Sequence, residues 1–181
     1  MAKLRLVAVA ISVTTLDPKL QQLARTSALV NVTGRLVHGL QRERGLSNLV
    51  LGSQGARFTE ARAQQIAECQ QIEAELRACL DCMDTSATPT GNGARLYSRI
   101  AYVLHGLDAL PGLRQRVESL SWTSRQATDA YARLVTGLLA VVFEAADSAT
   151  DPEVSRLLVA LFNFMQGKEF AGQERAVGSA L

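Results

Sequence analysis

The chain has 181 residues, 19 basic and 17 acidic for a formal charge of +2, with 48% hydrophobic and 20% charged residues and only four prolines. That mixture excludes a disordered tail and fits one domain with a full core. No basic run of the kind that tracks a phosphate backbone occurs, so direct nucleic-acid binding is not expected.

Residues 1–17 are a poorly defined N-terminal segment, in which Lys3 and Arg5 lead into the apolar residues 6–13. The stretch mimics a short signal peptide, but spanning a bilayer takes about 20 apolar residues. From residue 18 to 51 the chain is rich in Leu, Ala, Gln and Arg without a further proline, and its apolar residues recur three and four apart, which predicts a long helix. Gly52 and Gly55 are expected to supply the positive-φ residues that stop it. Residues 56–83 place Ile66, Cys69, Ile72, Leu76, Cys79 and Leu80 on one side of a second, amphipathic helix. Residues 85–93, with Pro89, Gly91 and Gly93, read as a loop.

A third helix is predicted over residues 94–110, punctuated by Pro111 and Gly112 and followed by a short helical connector over 113–120. Thr123 and Gln126 have capping-box spacing and start a fourth helix over 124–148. Its apolar run 134–146 is interrupted by Thr136, Gly137 and Glu144, which makes it a buried bundle helix rather than a membrane span. Asp151 as cap, Pro152 in the first turn and Glu153 on the dipole open a last helix that runs nearly to residue 181. The expected fold is therefore an all-α, up-and-down antiparallel helical bundle over residues 18–181. Three cysteines, an odd number crowded into one helix, suit a reducing compartment and predict a cytoplasmic protein.

Within the first helix, Val37, Leu40, Arg44, Ser47 and Leu51 keep the spacing of residues that face a partner helix, whereas Arg42 lies on another face. A guanidinium keeps its proton, so Arg44 inside a core has to meet a carboxylate or a bound anion. Glu43, Glu169 and Glu174 are the candidate carboxylates. The last helix carries Leu158, Leu161, Met165, Lys168, Gly172 and Arg175 in the same alternation, which points Arg175 inward. Gly167, Ala171 and Gly172 keep that end slim. Cys79-x-x-Cys82 has metal-ligand spacing, but with no second pair and with His38 and His105 in separate helices no metal site is expected. No nucleophile elbow, phosphate loop or dinucleotide fingerprint occurs, so neither an enzyme nor a cofactor is expected.

Leu36-Val37-His38-Gly39-Leu40-Gln41-Arg42-Glu43-Arg44-Gly45-Leu46-Ser47-Asn48 resembles the signature that opens the nitrate- and nitrite-sensing (NIT) domain family. The segment from Val159 through Gln173-Glu174-Arg175-Ala176 is similar to the second signature of that family, and the likeness covers roughly residues 20–181. The resemblance implies a helical sensor that binds nitrate or nitrite through its motif arginines, Arg44 and Arg175, and passes helix movement to an output domain or partner, as in transcription antitermination. A planar guanidinium fork suits a planar monoanion, since it offers parallel N–H donors to two oxygens. Two such arginines repel until the anion arrives, which couples occupancy to helix closure.

Members of the family continue past this motif into further helices with another binding arginine and then into an output module, so the expectation is a sensor domain incomplete relative to the family. The rival reading is a helical interaction module whose arginines form internal ion pairs. Expected partners are the anion, an output domain or partner protein, and a second copy of the chain as a homodimer, with no membrane.

Overall fold

Two apolar helices organise the bundle, and the rest wrap around them. A computed structural model describes residues 18–82, 92–147 and 152–178. These hold α1 (Pro18–Gly52), α2 (Thr59–Asp81), α3 (Asn92–Asp108), α4 (Leu110–Glu118), α5 (Ser124–Asp147) and α6 (Pro152–Gly178), with no strand among the described residues. This is the all-α, up-and-down antiparallel bundle that the periodicity predicts. The N-terminal segment, most of the expected loop at 85–93 and the Asp151 cap lie outside the described residues.

α1 and α5 pack along each other at the centre; α2 lies on α1, while α3 and α6 lie on α5. The reason is the width of their apolar faces. α1 buries Leu36, Val37, Leu40, Val50 and Leu51, and α5 buries Leu134, Val135, Leu138, Val141, Val142 and Ala145. Each fully buried Leu or Val contributes about 1.5–3 kcal/mol relative to exposure, so this shared face dominates the core. No described helix is long and apolar enough to cross a membrane.

Helix ends decide where the site falls. The Thr123 amide donates to Gln126 Oε1 (2.9 Å) and the Gln126 amide donates to Thr123 Oγ1 (3.2 Å), the reciprocal capping box expected at the start of α5. The break expected at Pro111 falls at Ala109, and Pro111 itself sits in the first turn of α4, where its missing N–H is not needed. At the end of α1 the left-handed residue is Gln54 (φ 53°) rather than Gly52, which stays helical, and Gly55 (φ 79°) follows. The Gly55 amide reaches Val50 O and the Gln54 amide reaches Leu51 O, closing the helix with paired bonds of Schellman type. Leu120 (φ 54°) does the same for α4, with Leu120 N on Val117 O and Ser121 N on Arg116 O. The two termini touch, since a Cβ added at Gly55 would lie 3.6 Å from Leu120 Cδ1. Phe58 (φ 67°), just before α2, is a third non-glycine residue in the left-handed region. Such residues cost on the order of 1–3 kcal/mol each and persist where surrounding structure holds them.

Candidate anion-binding cleft

Adjacent residues on α1, Glu43 and Arg44, both point inward, and each takes an ionic partner from a different helix. Two apolar seams explain it: Val37, Leu40, Arg44, Ser47 and Leu51 form one, and Leu36, Leu40, Glu43, Ser47 and Val50 form the other. Arg44 is 3% exposed while the side chain of Arg42 is 57% exposed and faces Glu68, so the helix phase read from the sequence holds.

Arg44 is met by Glu169 of α6, itself 2% exposed. Arg44 Nη1 donates to Glu169 Oε1 (2.5 Å) and Nη2 to Oε2 (3.3 Å), with Gln41 Nε2 on Oε2 (2.9 Å) and Gln173 Nε2 on Oε1 (2.8 Å). Of the three candidate carboxylates, Glu169 is therefore the partner; Glu174 is exposed and Glu43 is engaged elsewhere. Gly172 makes the contact possible, because a Cβ there would sit 2.8 Å from Arg44 Nη2. Gly167 plays no such part, having nothing within 4 Å.

The inward direction expected for Arg175 is not what the structure has. Arg175 is exposed, its Nε donating to Ala171 O (3.3 Å). The cause is an ambiguity of heptad spacing: Leu158, Met165 and Gly172 are common to two lines, and the line facing the bundle continues through Phe162 and Glu169 rather than Leu161, Lys168 and Arg175. The expected repulsion between two inward arginines is likewise absent, since Glu169 neutralises Arg44.

Arg44 and Arg175 do meet on one surface. An open cleft of about 1060 Å³ runs from His38 along α1 to the start of α5, and both residues line it, with Arg42, Arg57, Arg125 and Lys168. Among the described residues that line it there are six cationic side chains and no carboxylate. At about 30 Å³ per water the cleft is wet, so its charges attract anions over distance while the solvent weakens each contact. Lys168 Nζ donates to His38 Nδ1 (2.8 Å). Partial desolvation, then the neighbouring Lys168 and Arg42 charges, hold the largely exposed His38 imidazole below its ordinary value.

A second polar cluster surrounds Glu43, and its arginines, Arg62 and Arg114, were not singled out from the sequence. Glu43, 0% exposed, accepts from Arg114 Nε and Nη2 (both 2.8 Å) and from the Tyr131 hydroxyl (2.7 Å). Buried Arg62 donates to Ser47 Oγ (3.0 Å) and to Arg114 O (2.9 Å), so α1, α2, α4 and α5 meet at this point. Burial first, and Glu43 second, push the Tyr131 hydroxyl up and the Cys69 thiol up to about 12, so both stay protonated. A signal was present: Arg114 lies four residues after Leu110 and three before Val117, and Arg62 lies four before Ile66. Cys79 is half-buried and Cys82 exposed, both as free thiols, and no group of three or more metal-ligating side chains occurs among the described residues.

Fold and site together define an all-helical domain with a cationic cleft at one end of its bundle. Residues 35–181 match the family described as nitrate and nitrite sensing, and the chain belongs to that family. It is 37% identical over 162 residues to the nitrate regulatory protein of Klebsiella oxytoca, an alignment covering 89% of this chain and 39% of that protein. A solved structure of the NasR transcription antiterminator superposes with a TM-score of 0.83 at 34% identity, covering 96% of this chain and 46% of that one. The chain thus spans less than half the length of either relative.

Proposed function

We propose that this chain is a non-enzymatic sensor domain that takes up nitrate or nitrite through its cationic cleft, with Arg44 and Arg175 as anion-binding residues. The observation that carries this reading is the lining of the cleft: both motif arginines, four further cations and no carboxylate among the described lining residues. Arg175 and Lys168, on the solvent side, draw the anion in. Arg44 supplies the planar, dry donor fork that a weakly accepting anion requires. Occupancy changes how α6 sits against α1, and that movement passes to an output domain or partner protein, of the antitermination type that the relatives' names suggest. On this reading the domain works in the cytoplasm, touches no nucleic acid itself, and is open to pairing with a second copy.

Ion replacement tests it. Thermal stability should rise with sodium nitrate or nitrite and stay level with equal sodium chloride, as mass action requires of a ligand that binds only the folded chain. The second reading, a helical interaction module, is favoured by the Arg44–Glu169 pair and by the exposed apolar side chains Leu157 and Phe164 of α6. Identical melts in nitrate and chloride would support it instead.

A further inference from the structure

The cleft is wet, yet a small oxyanion that accepts hydrogen bonds weakly needs donors kept dry. The most sheltered donors beside it are those around Glu169, where Arg44 is buried and Gln41 and Gln173 are half-buried. Each carboxylate oxygen there accepts two N–H bonds: Oε1 from Arg44 and Gln173, Oε2 from Gln41 and Arg44. That fills the four lone-pair directions of a planar anion. Gln41, Arg44 and Gly172 also line the cleft, so the socket opens onto the route by which an anion would enter.

We infer that Glu169 is a tethered competitor: its carboxylate occupies the oxyanion socket in the empty protein, and nitrate or nitrite binds by displacing it onto the same donors. The inference rests on the sensor reading above and adds Gln41 and Gln173 as anion-binding residues. The chemistry is matched, because a carboxylate and nitrate both present two coplanar oxygens to a guanidinium fork. The charge is matched too, since one monoanion replaces another beside Arg44. The released carboxylate stays on α6, next in sequence to Lys168, which lines the cleft, so its departure changes the contacts between α6 and α1. Glu169 thereby sets the affinity: every bound anion must offset the loss of an intramolecular one.

The test is a calorimetric titration of the full chain, its Glu169→Gln and Glu169→Asp variants, with sodium nitrate and with sodium chloride at matched ionic strength. The inference expects Glu169→Gln to bind nitrate about tenfold more tightly than the parent or better, and Glu169→Asp, whose shorter carboxylate reaches the socket poorly, to gain less. Melts of Glu169→Ala give a second readout that tolerates a destabilised variant: nitrate and acetate should both restore stability where chloride does not. Equal affinity in parent and Glu169→Gln would overturn the inference while leaving the sensor reading intact, with the anion held on the outer cleft. Weaker binding by Glu169→Gln would also overturn it, making Glu169 a residue that positions Arg44. No nitrate binding by any of the chains would remove both.

Discussion

Glu43 and Arg44 are neighbours on one helix and each makes a buried ion pair, yet the two pairs stand in different surroundings. Glu43 is walled in by Arg114, Tyr131 and the apolar core, with its partners on α4 and α5. Arg44 and Glu169 are as buried by area, but Arg44 is part of the wall of an open, cationic cleft. A buried pair gains little over an apolar substitute, since desolvation consumes most of its attraction. Its cost appears when one partner is removed. The core pair therefore ties four helices together, whereas on the proposed reading the cleft pair exchanges one partner for an anion from solution.

The largest effect should come from breaking the core pair. Arg114→Ala strands a fully buried carboxylate and should cost about 3–5 kcal/mol in urea melts, with nitrate giving no selective rescue. Arg44→Ala strands Glu169, but the space left by the guanidinium opens to the cleft and lets water in, so the cost should be less, about 1–3 kcal/mol. Equal losses in the two variants would erase the distinction between the regions.

The contrast was half legible in the sequence. Strong three-four periodicity identified the helices, their order and the inward phase of Arg44, because a long apolar seam leaves one choice of face. Arg175 was misdirected because the α6 line through Leu158, Met165 and Gly172 can be continued in two ways, and only packing against α1 and α5 selects the branch through Glu169. Arg62 and Arg114 were legible by the same spacing but sat in shorter or more polar windows, where a basic residue looks solvated. Gln54 and Leu120 could not be read as left-handed at all; their neighbours, not their own preferences, hold them there.

Gly172 sharpens the comparison from the other side of the cleft pair. A methyl group there collides with Arg44 Nη2 at 2.8 Å and should push the guanidinium off its place. Gly172→Ala is expected to weaken nitrate binding about tenfold, roughly 1.4 kcal/mol, while Gly167→Ala, with nothing nearby, leaves it unchanged. Titrations of the two alanine variants side by side check this. Matching losses would mean that helix stiffness rather than contact with Arg44 is responsible.

The smallest effect is a pH dependence at the rim. His38 is held below the 6.5 of an unfolded chain, so above that pH both states keep it neutral. As pH falls from there through the folded-state value, the unfolded chain takes the proton first and stability is lost. His38→Asn should flatten this decline in melts between pH 7 and 5, and the change should be small because His38 is exposed. A decline of the same depth in the variant would assign it to other groups.

The central claim, that an anion takes Arg44 from the cleft side, is tested most directly by calorimetric titration of the parent chain and Arg44→Lys with sodium nitrate against a chloride background. Lysine keeps the charge but loses the planar fork. The account predicts saturable binding by the parent and none, or greatly weakened binding, by a folded Arg44→Lys. Nitrate binding of equal strength in both chains would contradict it.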